Sequence, residues 1–166
     1  MAETPALYLE TSIASYLASR PSPNLITRAK QDLTWQWWSG SQSAFDIYIS
    51  EIVLQEAGTG DPERAARRLE LLEGFSLLPI TTQVLELGER YLKHLGLADN
   101  ARVDLLHLAC AVVHDLDYLM TWNLTHLANA IVRRRLQNLN TQWGLPIPVV
   151  ATPEELLISP QEAQDG

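Results

Sequence analysis

The segment that most constrains the fold covers residues 103–113, which read V-D-L-L-H-L-A-C-A-V-V. Wound as an α-helix, this segment is apolar on every face, and helices of that kind are buried in the protein interior. Asp104 is its single acidic residue, and an ionised carboxylate is costly to bury unless another group pairs with it. The segment therefore predicts a buried central helix that carries a functional carboxylate near its start.

Short apolar segments alternate with helical segments along most of the chain. Strands are predicted at residues 6–9, 45–49, 75–80, 118–121 and 147–150, and helices at residues 11–19, 25–38, 51–57, 63–73, 82–95, 101–114 and 124–139. Such alternation is typical of βαβ units, in which helices cover both faces of a parallel sheet. We therefore predict an α/β fold, a three-layer α/β/α sandwich with a mainly parallel, about five-stranded sheet. No repeat or linker interrupts the pattern, so residues 1–166 should form one domain, with its core at about 6–157.

Composition and charge narrow the functional classes. The chain has 166 residues, of which 46% are hydrophobic and 19% charged, as expected for one ordinary globular domain. Its net charge of -8 argues against broad electrostatic binding of nucleic acid, but a nuclease with acidic site residues is compatible with it. Cys110 is the only cysteine, so no internal disulfide can form. We recognise neither a signal peptide nor an apolar run long enough to span a membrane, and we expect a cytoplasmic protein.

Polar side chains follow two of the predicted strands at the point where each strand ends. Glu10 comes directly after the first strand, and Asn123 follows the strand at residues 118–121. Open parallel sheets bind ligands at the carboxyl ends of their strands, where the strand order switches. Together with Asp104, these residues indicate a carboxylate cluster that holds a metal ion. The simpler interpretation is that Glu10 and Asn123 only stabilise the starts of the helices that follow them.

The helix after the second strand offers a further acid, for which Glu51 and Glu56 compete. Because they are five residues apart, they lie about 140° from each other around the helix and cannot both face one site. Glu56 shares a face with Ile52 and Val53, whose apolar side chains should turn inward. We therefore favour Glu56 and expect Glu51 to be solvated.

The last predicted helix indicates a contact with a phosphate backbone. His126, Asn129 and Arg133 are spaced by three and four residues and would form one helical stripe, followed by Arg134 and Arg135. A basic patch of this kind can bind phosphates, or it can simply be the solvated end of a helix. Both interpretations stay open at this point.

Buried polar and aromatic residues add two further expectations. His107 lies one turn after Asp104 and is expected to form a hydrogen bond inside the core rather than to bind a metal. Trp35, Trp37 and Trp38 cannot all face one core from a single helix. At least one of the three should be partly exposed, as tryptophans at protein interfaces are.

These segments together resemble the PIN-domain ribonucleases of the VapC toxin family. The resemblance covers residues 7–157 and is carried by Y-L-E-T-S at 8–12, S-E-I-V-L-Q-E at 50–56, V-D-L-L-H-L-A at 103–109 and T-W-N-L-T-H-L-A-N at 121–129. It implies a PIN-like fold, cleavage of RNA, a cognate antitoxin as partner and a homodimer. Under this resemblance, the stripe of His126, Asn129 and Arg133 would bind the RNA.

The resemblance also implies roles for individual residues. The four polar positions of the family's site match Glu10, Glu56, Asp104 and Asn123. Glu10 and Asp104 would bind Mg²⁺ or Mn²⁺, which accept carboxylate oxygens as ligands. Glu56 would act as a further ligand or as the base that takes a proton from water, and Asn123 would orient that water.

The resemblance also implies a supporting role for two threonines near the site, and this chain departs from the family pattern at two of the four site positions. Thr11 and Thr121 would donate hydrogen bonds to the metal-binding side chains. Glu10 and Asn123 each replace an aspartate that the family usually has, so the metal would lie further out and a second metal would bind weakly. The alternative function is therefore a catalytically weakened or inactive PIN-like domain that acts by binding RNA or a partner.

Two other classes of acidic α/β protein fit the sequence less well. A phosphate-accepting receiver domain needs an aspartate at the end of a central strand and a lysine on a late strand. Here Asp117 begins its strand and the last strands have no lysine. A small Mg²⁺-dependent phosphatase would have an Asp-x-Asp motif after the first strand, which this chain lacks.

Overall fold

The computed structural model describes residues 3–159, which form a five-stranded sheet flanked by seven α-helices. The strands are β1 (Ala6–Leu9), β2 (Asp46–Ser50), β3 (Ser76–Leu78), β4 (Tyr118–Met120) and β5 (Val149–Ala151). The helices are α1 (Thr11–Ala18), α2 (Leu25–Gly40), α3 (Glu51–Ala57), α4 (Pro62–Leu72), α5 (Thr82–Leu95), α6 (Arg102–Val113) and α7 (Ala130–Trp143).

The sheet is parallel throughout and has the strand order β3-β2-β1-β4-β5. In β1, Leu7 pairs with Ile47 of β2 on one side and with Tyr118 of β4 on the other. The chain therefore adds β2 and β3 on one side of β1, and then β4 and β5 on the opposite side. This reversal creates a switch point between β1 and β4, where parallel sheets usually bind their ligands.

The helices form two groups, one for each face of the sheet. Helix α1 contacts α2, α3 and α4, whereas α5 contacts α6 and α7. Helix α6 is buried on nearly all sides, since Leu105, Ala109 and Cys110 have no exposed surface. The predicted α/β sandwich and its buried central helix are both confirmed.

Side-chain caps explain why several helices begin where they do. Ser50 accepts a hydrogen bond from the backbone N–H of Val53 and so starts α3 directly after β2. Asp61 caps α4 in the same way, and Pro62 occupies the first helical position, where no backbone N–H is needed. Thr81 caps α5. The short connections from β2 to α3 and from β3 to α5 bring the starts of these two helices close to the carboxyl end of the sheet.

One predicted helix start is wrong, and it has a local cause. Helix α7 begins at Ala130 instead of residue 124, because Asn129 caps it and the preceding residues form a separate turn. It also continues to Trp143, where Gly144 adopts a left-handed conformation that ends the helix. Helix α6 begins at Arg102 without a side-chain cap, so Asp104 lies in its first turn. None of the helices within residues 3–159 has the length and apolar character needed to cross a membrane.

Candidate metal centre

Glu10 joins three elements at the switch point of the sheet. It follows β1 directly, and its backbone N–H donates to the carbonyl of Met120 at 3.1 Å. Its Oε2 caps α1 by accepting from the Ser12 N–H at 3.1 Å, and it also accepts from the Ser12 hydroxyl at 2.5 Å and from Thr121 Oγ1 at 2.7 Å. The helix-capping role and the position expected of a metal ligand therefore occur in the same side chain, which is only 6% exposed.

Glu56 reaches the same place from the last turn of α3. Its Oε1 accepts a hydrogen bond from Thr11 Oγ1 at 2.7 Å and lies 2.6 Å from His107 Nε2. The Glu56 side chain is 38% exposed, so solvent reaches this side of the cluster. Glu51 is exposed at the start of the same helix, as the spacing argument predicted.

His107 of α6 completes a compact group with the two glutamates. One ligand atom each from Glu10, Glu56 and His107 lies within 4.8 Å of the others, and we call these three residues the inner cluster. Ligand atoms around an octahedral Mg²⁺ are roughly 3 to 4 Å apart at bond lengths of about 2.1 Å. The inner cluster therefore fits a divalent cation after small side-chain movements. Its carboxylates suit Mg²⁺ or Mn²⁺, and an imidazole ligand would favour Mn²⁺.

Asp104 is held separately, although the predicted metal pair was Glu10 with Asp104. Its Oδ2 lies 2.7 Å from His126 Nδ1, and we call Asp104 and His126 the outer pair. The Asp104 and His126 side chains are 20% and 18% exposed. Among residues 3–159 the compact metal-ligating group does not include Asp104. The charge of Asp104 nevertheless acts on His107, which lies one turn further along α6.

Thr121 and Asn123 connect the inner cluster to the outer pair. Thr121 is completely buried, donates to Glu10 and accepts from the Asn123 N–H at 2.9 Å. Asn123 Oδ1 in turn accepts from the His126 N–H at 3.0 Å. Thr121 donates to Glu10, as predicted, whereas Thr11 donates to Glu56 and not to either of the two predicted metal ligands. The side chain of Asn123 supports the turn that carries His126.

Burial and hydrogen bonding shift the pKa values of the inner cluster and its neighbour. Burial raises the pKa of Glu56, but hydrogen bonds from His107 and Thr11 and the charge of His107 lower it overall below its usual 4.5. Burial lowers the pKa of His107, but the hydrogen bond to Glu56 and the charges of Glu10, Glu56 and Asp104 raise it overall above 6.5. Burial and the neighbouring Cys110 raise the pKa of Tyr8 well above 10.0. Glu56 is therefore a carboxylate and Tyr8 a neutral hydroxyl at neutral pH.

The predicted stripe for nucleic-acid binding does not form. His126 lies in the turn before α7 and is bonded to Asp104, while Asn129 is used as the cap of α7. Arg133 donates to the carbonyl of Val150 at 2.8 Å and lies 3.6 Å from Glu155. The helix that would have aligned the three residues starts too late, so they no longer share one face.

Comparison with known proteins identifies the fold family. A family model described as the PIN domain matches residues 7–125. The chain belongs to the PIN domain family. A search of curated proteins found no match.

Two solved structures share this PIN fold. VapBC2 from Rickettsia felis, solved with a DNA fragment from its promoter, aligns with a TM-score of 0.56 and 18% identity, covering 89% of this chain and 98% of that one. VapC20 from Mycobacterium tuberculosis, described as a sarcin–ricin loop cleaving toxin, aligns with a TM-score of 0.52 and 17% identity, covering 75% of this chain and 95% of that one. At such low identity, the likeness establishes the fold alone.

Sequence reasoning missed several polar residues of this PIN-domain site. Ser12 binds Glu10 through its backbone and its hydroxyl, while Tyr8 and Ser50 lie behind His107 with their side chains fully buried. The available signal was a tyrosine within an otherwise aliphatic strand, since a buried Tyr hydroxyl usually has a hydrogen-bond partner.

Proposed function

We propose that this PIN-domain protein is a metal-dependent endoribonuclease and the toxin of a toxin–antitoxin pair. The observation that carries the proposal is the inner cluster: two carboxylates and an imidazole meet at the switch point, open to solvent on the Glu56 side. The sarcin–ricin loop cleaving activity in the description of VapC20 supports this direction.

Each residue has a proposed part in the reaction. Glu10 and Asp104 would hold Mg²⁺ or Mn²⁺, with Asp104 releasing His126 to do so. When bound, such an ion lowers the pKa of water and offsets negative charge on the phosphate. Glu56, whose lowered pKa keeps it ionised, would accept the proton of the attacking water or serve as a third ligand. Asn123 would help to orient that water through its amide nitrogen.

The RNA backbone would approach along α1 rather than along α7. Arg20, Arg64 and Arg67 line one surface at the far end of α1 and the start of α4, together with Asp61 and Glu63. Among residues 3–159, none of these three arginines forms an ion pair or a side-chain hydrogen bond with the protein. Free guanidinium groups are well suited to bind phosphates.

An antitoxin and a second copy of the chain are the proposed protein partners. VapBC2, whose fold is similar, is described together with DNA from its promoter, and a toxin of this kind would be held inactive by a bound antitoxin. Trp35 is 44% exposed, while Trp37 is fully buried and Trp38 is half-buried, so the expectation of at least one exposed tryptophan is confirmed. Leu25 and Ile26 of α2 are also exposed. The side of α2 that carries Trp35 is where we expect a partner to bind.

The alternative is a PIN domain that binds RNA or a partner without cleaving. A specific observation favours it: in this structure Asp104 is already bonded to His126. A carboxylate that must first release a partner binds metal more weakly than a free one. Glu10 and Asn123, in place of the usual aspartates, point in the same direction.

An RNA cleavage assay with titrated metal separates these two functions. Purified protein is incubated with a mixed RNA substrate in EDTA, Mg²⁺ or Mn²⁺, beside the variants Glu56→Gln and Glu51→Gln. We expect cleavage only with metal, its loss in Glu56→Gln and its retention in Glu51→Gln, which removes an exposed acid from the same helix. RNA binding without cleavage under every metal condition would favour the alternative.

A further inference from the structure

His107 has both of its ring nitrogens engaged inside the protein. Nδ1 lies 2.7 Å from the Tyr8 hydroxyl, and Nε2 lies 2.6 Å from Glu56 Oε1. The Tyr8 hydroxyl also lies 2.7 Å from Ser50 Oγ. His107, Tyr8 and Ser50 are all 0% exposed, so water does not compete for these hydrogen bonds. A buried polar chain therefore ends on a carboxylate of the candidate metal centre.

This chain of hydrogen bonds can run in two directions, and both leave a hydrogen on Nε2. The backbone N–H of Val53 donates to Ser50 Oγ, and a backbone N–H can only donate. The Ser50 hydrogen is then free to point to Tyr8, and the Tyr8 hydrogen to His107 Nδ1. Nε2 consequently carries a hydrogen and donates it to Glu56 Oε1. If the ring is instead cationic, Nδ1 donates to Tyr8 and Tyr8 to Ser50, and Nε2 still donates to Glu56.

This arrangement argues against His107 as a metal ligand, although it belongs to the inner cluster. An Nε2 that carries a hydrogen has no lone pair to offer a cation. An Nε2 without hydrogen would place its lone pair 2.6 Å from a carboxylate oxygen, which is repulsive. The short distance is consistent only with a donor on the ring.

We propose that His107 and Tyr8 are positioning residues that fix the orientation of the Glu56 carboxylate. Oε1 receives hydrogen bonds from both His107 and Thr11, whereas among residues 3–159 Oε2 receives none. The half-exposed carboxylate is thereby held with one oxygen toward the core and the other free for a metal ion or water. This inference rests on the proposed function for its consequence, but its geometry can be tested without any substrate.

Nitrogen NMR of the histidine rings tests the geometry directly. In protein labelled with ¹⁵N and freed of metal, we expect His107 to carry a hydrogen on Nε2 and to keep it when Mg²⁺ is added to saturation. A ring with hydrogen on Nδ1 alone would overturn the inference. So would loss of the Nε2 hydrogen on adding Mg²⁺, because that result would make His107 a ligand.

Calorimetric titration with Mn²⁺ tests whether the positioning matters. We expect His107→Leu to weaken Mn²⁺ binding about tenfold or more, as removal of residues that orient metal ligands usually does. His107→Gln places an amide donor near the Nε2 position, so it should restore affinity to within about threefold of wild type. Tyr8→Phe, the variant closest to wild type in shape, should weaken binding by an intermediate factor. Equal loss in His107→Gln and His107→Leu would contradict the inference.

Tyr91→Phe is the matched control for Tyr8→Phe. Tyr91 is also completely buried, and its hydroxyl donates to Asn140 at 2.6 Å, away from the candidate centre. We expect a similar loss of thermal stability but unchanged Mn²⁺ affinity. An equal loss of affinity in both tyrosine variants would show that Tyr8 has only a structural role. If wild type binds Mn²⁺ but cleaves no RNA, the proposed function fails. The tautomer of His107 and the Mn²⁺ affinities of the variants would still test whether His107 and Tyr8 orient Glu56.

Discussion

The inner cluster and the outer pair hold carboxylates at the same switch point by different means. Glu10 and Glu56 of the inner cluster receive hydrogen bonds from buried residues that follow strands or lie on α6. Asp104 of the outer pair depends on His126, which is carried by a turn outside the regular helices. The inner cluster is therefore a preorganised part of the fold, whereas the outer pair can rearrange with little disturbance of the core.

This difference indicates how the site would take up a metal ion. Breaking the Asp104–His126 contact exposes one carboxylate and moves a residue of a short turn. Breaking the Glu56–His107 contact would instead leave Nε2 of the fully buried His107 without a partner in the core, at a cost of about 1 to 3 kcal/mol. We therefore expect the outer pair to open and the inner cluster to remain intact on metal binding.

The largest effect is expected from Glu56→Gln, which breaks the inner cluster. The amide keeps the shape of the side chain but cannot accept a proton from water and binds metal weakly. Because proton transfer by a positioned group contributes about 100- to 10,000-fold, we expect cleavage to fall by about 1,000-fold. Initial rates at saturating Mn²⁺ provide the measurement, with Glu51→Gln as control. A loss below tenfold would show that Glu56 is not the proton acceptor.

Asp104→Asn should give the second largest effect by disabling the outer pair. We expect roughly 100-fold slower cleavage and weaker Mn²⁺ binding, since one proposed metal ligand is lost. Asp104 lies in the first turn of α6 and contacts His126, so stability should fall by no more than about 1 kcal/mol. Chemical denaturation and RNA cleavage are measured on the same preparation. A sharp fall in stability with activity retained would make Asp104 a structural residue.

The sequence patterns located the acidic residues of the inner cluster and the outer pair more successfully than the residues that form hydrogen bonds with them. Apolar strands followed by polar residues predicted where Glu10 lies, and helical spacing correctly turned Glu56 inward and Glu51 outward. His107 was expected to form a hydrogen bond in the core, and this is confirmed. Its hydrogen-bond partners could not be predicted, because they depend on how β1, α3 and α6 pack together. The spacing of residues within one segment contains no information about that packing.

The outer pair was missed because two asparagines compete to start the same helix. Asn123 and Asn129 are both good caps, and the pattern of residues 124–139 did not distinguish between them. In the structure Asn129 caps α7, while the backbone carbonyl of Asn123 closes a turn by accepting from the N–H groups of Leu127 and Ala128. That choice places His126 beside Asp104 instead of on a helical stripe. Both residues are equally good caps by local preference, so the sequence alone does not choose between them.

A smaller effect is expected on folding stability, which should depend on pH through His107 and Glu56 of the inner cluster. The pKa of His107 is raised above 6.5, so its contribution is present below that value and is lost as pH rises through the folded-state pKa. The pKa of Glu56 is lowered below 4.5, so its contribution is present above that value and is lost as pH falls through its folded-state pKa. The groups facing His107 are Tyr8, Glu10, Glu56 and Asp104.

The stability advantage of wild type over His107→Gln should therefore be greatest between pH 4.5 and 6.5 and decline on both sides. Urea denaturation in EDTA across this range provides the measurement. His94→Gln, which removes an exposed histidine on α5, serves as the control and should show no such maximum. An advantage that increases steadily above pH 7 would contradict the assigned pairing.

The smallest effect concerns which part of the site faces the RNA. Arg64 of α4 has no ion pair among residues 3–159 and lies on the surface that α1 connects to the inner cluster. Arg134 of α7 is also without an ion pair in that range, but α7 follows the turn of the outer pair. We expect Arg64→Ala to raise KM for RNA about threefold and to reduce the salt dependence of binding by about one phosphate contact, with kcat nearly unchanged. Arg134→Ala should change neither. The reverse result would place the RNA along α7, so that the substrate would meet the outer pair first and the inner cluster second.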